Sequence, residues 1–227
     1  MKKKIICILT CVSVLCIVIC THVYTVRGNS LYNQLGYIFN HYYQQSQSVD
    51  NNHLNSVDAY AYGKNATVST KDVLQAKEYY MAGGLNEDEA EEKAASYMME
   101  REALYNAAIR SGYSVTNQEV REYVAELKEL LESSDQYDLV LAVMDSFDSE
   151  EEYWEYQFTV YQKNLPIQKY VQALQLEFQN SLATTYSAAE TNDSASNYTE
   201  LWNDYYDSYK QDLVEQENYS LNNNILQ

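Results

Sequence analysis

Backbone punctuation is nearly missing from this chain. One proline, Pro166, and six glycines serve 227 residues, and no glycine follows Gly112. Sheets need turn residues at short intervals, whereas helices need only caps. The expectation is therefore an all-α fold, mostly helical, with room for one very short β pair. Once the apolar N-terminus is set aside, about 180 residues remain, enough for one domain with a core of its own.

The helical reading is clearest in residues 91–124. Ala94, Tyr97, Met98, Leu104, Tyr105, Ala108 and Ile109 recur at spacings of three and four, which places them on one helix face. Gly112 is expected to end that helix in the left-handed conformation. Thr116 with Glu119 forms a capping-box pattern that opens the next one, and Asn86 with Glu89 caps the first. Upstream, Ser69 with Asp72 is expected to cap a helix that Gly83 and Gly84 terminate. Residues 60–69 carry the aromatic and β-branched content of one or two very short strands around Gly63 to Asn65.

Downstream, Val120, Val124 and Leu127 mark one helix, and Leu139, Val140, Val143 and Phe147 a shorter one. Tyr153, Trp154, Phe158, Tyr161 and Leu165 mark a third, whose period resumes after Pro166 at Tyr170, Val171, Leu174 and Phe178. A kink at Pro166 fits that pattern better than a break. Residues 181–197 lack periodicity and read as a linker. Tyr198, Leu201, Trp202, Tyr205, Tyr206, Tyr209 and Leu213 form a last apolar stripe. That stripe, residues 198–215, is expected to pack back on the domain, with 216–227 as a tail.

The N-terminus is of another kind. Lys2, Lys3 and Lys4 precede residues 5–26, which hold no charged side chain and are long enough to cross a bilayer of roughly 30 Å hydrocarbon thickness. The reading is a single transmembrane signal-anchor helix in contact with the lipid bilayer, with residues 1–4 cytoplasmic. A cleaved signal peptide is the competing reading, though no small-x-small site follows the apolar run. A lipoprotein at Cys20 is another, though Val18 and Ile19 before it are bulky. Residues 27–56 read as a stalk carrying Leu31, Leu35, Ile38, Phe39 and Tyr42 at helical spacing.

Charge and side-chain chemistry exclude several function classes. The formal net charge is −18, and no Asp or Glu precedes Asp50. Phosphates would meet a repulsive field, so nucleic acid is not an expected partner. All four cysteines lie within the apolar run and the last histidine is His53. Beyond residue 57 the chain therefore offers neither a disulfide framework nor His or Cys metal ligands, and no cofactor is expected.

Several segments together resemble a known family. Residues 105–120 end a helix and continue as G-Y-S-V-T-x-x-E-V. Residues 61–73, AYGKNATVSTKDV, look like an opening V-N-G-x-x-I-T segment, and residues 149–171 look like a closing helix with E-Y-W. In that order and spacing they are similar to the N-terminal chaperone domain of the SurA, PrsA and trigger-factor group, over residues 57–180. The resemblance implies a helical domain that binds unfolded or partly folded exported polypeptides outside the cytoplasm, at a bacterial surface. Relatives that isomerise prolyl bonds carry a parvulin module with histidines and Gly-rich turns, which this chain lacks, so no enzymatic activity is expected.

The 24 tyrosines are the most unusual feature of the composition. Tyrosine offers a broad, rigid contact surface with a polar tip, and methionine an adaptable one, which suits a site for varied extended peptides. Both also serve as ordinary core residues. The candidate polypeptide-binding residues are Tyr79, Tyr80, Met98, Tyr153, Trp154, Phe158, Tyr161, Trp202 and Tyr205. The alternative is a surface-anchored interaction or structural protein that binds one folded partner.

Overall fold

The computed structural model describes residues 28–48, 59–185 and 194–222. They form seven helices and three short strands: α1 (Gly28–Ser48), β1 (Ala59–Tyr62), β2 (Thr67–Ser69), α2 (Thr70–Ala82), α3 (Glu87–Arg110), α4 (Asn117–Glu132), α5 (Tyr137–Met144), α6 (Glu150–Thr185), α7 (Ser194–Glu217) and β3 (Ser220–Leu221). The chain is thus mostly helical, with one small sheet. The expected membrane helix, 5–26, lies outside the described residues, and among those residues no helix is long and apolar enough to cross a membrane.

Helix ends follow local chemistry closely. Asn86 accepts from the Glu89 N–H, and Thr116 with Glu119 completes a reciprocal capping box. Gly84 and Gly112 both have positive φ, 104° and 86°. At the second, the Gly112 N–H donates to the Ile109 carbonyl and the Tyr113 N–H to the Ala108 carbonyl, the paired bonds of a Schellman motif. Gly84 and Leu85 repeat that pair on Met81 and Tyr80. Ser69 stands at the N-cap position of α2 as expected, but it also ends β2, paired with Ala59, and its hydroxyl makes no cap bond.

Four apolar clusters hold the body together, and the first corrects the stalk assignment. Leu31, Leu35, Ile38, Phe39 and Tyr42 of α1 are buried against Tyr79, Ala82, Val143, Met144, Phe147, Tyr153 and Tyr156. A stripe of five large apolar side chains is costly to leave in water, so α1 joins the core instead of standing clear of it. In the second cluster, Ala94, Ala95 and Met98 of α3 pack on Ala61 and Val68 of the sheet and on Val73 and Ala76 of α2. The third joins Val120, Val124 and Leu127 of α4 to Tyr161 and Leu165 of α6.

The fourth cluster seats the C-terminal helix. Trp202 of α7 is buried with Ala108 of α3 and Tyr170 and Leu174 of α6. Helix α6 runs through Pro166, which is itself fully buried. Proline has no N–H for the Gln162 carbonyl, yet the side chains on either side, Leu165 and Ile167, are buried and hold the helix together. Because α6 reaches Thr185 and α7 starts at Ser194, the expected linker narrows to 186–193, outside the described residues.

The expected tail is also corrected. Ser220–Leu221 adds to the hairpin as a third strand, giving the order β2-β1-β3 with both pairings antiparallel.

Candidate functional site

Most of the candidate binding residues turn out to be core. Tyr79, Met98, Tyr153, Tyr161 and Trp202 are buried, and they fall in all four clusters instead of lining one groove. Tyr80 is half-buried, in edge contact with Tyr79 and packed against the sheet cluster. Two further aromatics are covered by cations. The Arg121 guanidinium lies 4.3 Å from the centre of the Phe158 ring, and Lys128 Nζ 5.7 Å from Trp154, whose indole N–H donates to Glu150. A capped ring offers little free face to a ligand.

Tyr205 is the candidate that stays on the surface, 38% exposed. It belongs to an aromatic seam in which side chains of α7, a helix whose backbone packs on α3, reach those of α6. Its ring stacks 4.8 Å from Phe178 and 6.1 Å from Tyr209, with Leu201 one helical turn before it, also exposed. Tyr209 in turn shares a hydroxyl-to-hydroxyl hydrogen bond with Tyr170. Burial, then that bond, pushes the Tyr209 phenol up from its ordinary range. Beneath the seam, Trp202 stacks on Tyr206 with ring centres 5.4 Å apart, and burial raises the Tyr206 phenol further from ionisation. On α3, Tyr97 is pushed up to about 12 by the same cause.

Sequence reasoning missed a second feature, at the end of α7. The Glu217 carboxylate is buried, 5% exposed, at the turn that joins β1 to β2. It accepts from the Asn65 N–H at 2.6 Å, the Ala66 N–H at 3.1 Å and the Asn65 side-chain amide at 3.1 Å, while the Glu217 carbonyl accepts from the Lys64 N–H. These donors satisfy an anion that would otherwise be costly to bury. No sequence motif marks it, because its partners lie more than 150 positions away. Gly63 is needed there: a Cβ at that position would lie 2.8 Å from the Tyr219 ring and 3.0 Å from a Glu217 carboxylate oxygen.

Comparison of the chain with protein-family models, with curated proteins and with solved structures gives no match. Among the described residues no group of three or more His, Cys, Asp or Glu side chains is placed to hold a metal ion. Another buried carboxylate, Glu102 on α3, takes Lys163 Nζ of α6 at 2.7 Å and Arg101 at 3.4 Å, an ion pair that ties two helices together. Among the described residues, the aromatic seam is a surface feature suited to recognition, and the small sheet, in which β3 covers the second edge of β1, is another.

Proposed function

We propose that this chain is a membrane-anchored, extracytoplasmic chaperone-like protein that holds unfolded or partly folded exported polypeptides without catalysing a reaction. The observation that carries the reading is the seam between α6 and α7. Leu201 and Tyr205 are exposed, Phe178 and Tyr209 half-buried, and the exposed carboxylates of Glu177, Glu200 and Asp204 sit next to them in the chain. Stacked aromatic faces can take apolar side chains of many shapes, because such contacts have little directional demand. A net charge of −18 keeps a complex with sticky partners in solution by self-repulsion.

The charge-free run 5–26 behind three lysines supports the anchor. The family resemblance of residues 57–180 supports the client class. Histidine does not recur after His53 nor glycine after Gly112, which supports holding over prolyl isomerisation.

The test is suppression of aggregation of a reduced, carboxymethylated polypeptide by the detergent-solubilised full chain. Suppression that is lost in the Leu201→Ser, Tyr205→Ser double variant, with the helical circular dichroism spectrum and cooperative unfolding retained, supports the reading. No suppression at molar excess, or stoichiometric capture of one folded partner alone, overturns it in favour of a dedicated interaction protein.

A further inference from the structure

We propose that the outer edge of β1 accepts an extended segment of a client polypeptide, and that residues 219–222 of the chain itself occupy that edge as a stand-in. The proposal rests on the polypeptide-holding reading and adds to the aromatic seam a second site, one that reads backbone. An unfolded client of varied sequence presents one constant feature, its backbone, and a sheet edge is the surface that reads backbone. Among the described residues the sheet has the order β2-β1-β3, and β3 is two residues long.

The occupant is held in its middle by backbone pairing and a Ser220 hydroxyl bond to the Tyr62 carbonyl at 3.3 Å, and at its ends by side chains. Ser220 and Leu221 pair with Tyr62 and Ala61, and both are exposed, Leu221 by 49%. At the ends, the fastening comes from flanking side chains. The Tyr219 ring packs against the sheet cluster and its hydroxyl donates to the Met99 carbonyl at 3.1 Å. Asn222 donates from its backbone to the Tyr60 carbonyl at 2.9 Å and from its side chain to the Ala59 carbonyl at 2.8 Å. An aromatic anchor, two strand residues and a side-chain amide make a recognition pattern that a segment of another polypeptide can reproduce.

The backbone separates what must stay from what can leave. Asn218 has φ of 49°, a left-handed residue between the end of α7 and β3. Glu217 on one side of it holds the β1–β2 turn, so the hairpin keeps its clasp when the residues beyond Asn218 swing away. What is exchanged includes the two-residue pairing, the Ser220 hydroxyl bond to the Tyr62 carbonyl, the Tyr219 anchor and the Asn222 bonds. A client with an aromatic residue followed three positions later by Asn, Gln or Ser restores the pairing, the aromatic anchor and the side-chain bond at the far end.

The experiment locks the strand. In the full chain with Cys7, Cys11, Cys16 and Cys20 replaced by alanine, Tyr62→Cys and Ser220→Cys place two thiols at directly paired positions. The reduced and oxidised forms are titrated with a fluorescent reduced, carboxymethylated polypeptide. The expected result is about a tenfold weaker affinity, roughly 1.4 kcal/mol, in the oxidised form. In parallel, the peptide of residues 217–222 is expected to displace the same probe from the unaltered chain, which needs no variant to fold. Equal affinity of both forms together with no displacement overturns the edge as the site, while leaving the holding function intact. If the unaltered chain binds no probe at all, the holding function itself fails and the proposal fails with it.

Discussion

Gly36 of α1 lies so close to α5 that a Cβ built on it would be 2.4 Å from the Val143 carbonyl oxygen. The same Cβ would meet Ser146 Oγ at 2.7 Å. Around that contact the Asn40 side-chain amide donates to the Ser146 carbonyl at 2.6 Å and Ser146 Oγ to the Asn33 carbonyl at 3.3 Å. Helix α1 is thus docked by a specific backbone approach as well as by its apolar stripe. The obstacle to a larger residue is main chain, which cannot rotate away as a flexible side chain can.

Gly36→Ala is accordingly expected to destabilise the domain. Overpacking of this kind costs about 1 to 3 kcal/mol, and for a domain of this size each kcal/mol lowers the melting temperature by roughly 2 to 4 °C. Thermal unfolding followed by circular dichroism checks it. An unchanged melting temperature would show that α1 can shift away from α5 at no cost.

Trp202 and Tyr205 sit three residues apart on α7 and predict unequal outcomes. Trp202 is 9% exposed among Ala108, Tyr170 and Leu174, so Trp202→Ala should cost about 3 to 5 kcal/mol. Tyr205→Ser removes a ring that is 38% exposed but stacks on Phe178, so it should cost about 1 kcal/mol, well below Trp202→Ala, while weakening capture of unfolded polypeptide. Denaturant melts and a binding titration on both variants check the pair. A Trp202→Ala protein as stable as the parent would contradict the docking of α7.

Acid sensitivity should trace in part to Glu119. Its carboxyl is held down from 4.5 to about 2, first by the hydrogen bond from Lys169 and then by the backbone and hydroxyl of Thr116. A depressed folded-state value contributes stability that is complete above the unfolded value and is lost as pH falls through the folded one. The window is therefore from about pH 4.5 down to about 2. Glu119→Gln should flatten the pH dependence of the melting temperature within that window and leave its slope near neutrality unchanged. An identical acid limb in both proteins would remove Glu119 from the account.

The elements were largely legible in the sequence because their signals are local. Asn86, Thr116, Glu119, Gly84 and Gly112 act on residues within a turn of themselves, so each cap could be read from spacing alone. The site was far less legible. Periodicity says that Tyr153, Tyr161 and Met98 share a face with other apolar residues, but not whether that face meets a neighbouring helix or a ligand. The structure places them against helices, and leaves Tyr205 outside because it lies at the margin of the stripe that Trp202 centres.

By itself, the sequence determined that the chain would be helical, where α2 and α3 would start and stop, where α4 would start, and that Pro166 would not end α6. Those outcomes depend on backbone conformation and on hydrogen bonds between residues a few positions apart. Only the tertiary structure decided that α1 is core, that Glu102 pairs with Lys163, and that Glu217 clasps the turn at Asn65 and Ala66. Each of these joins residues from dozens to more than 150 positions apart. Burying a charge or closing on a glycine is favourable only when the matching donor or carbonyl arrives there, and nothing in the local sequence of Glu217 or Gly36 announces which distant segment will bring it.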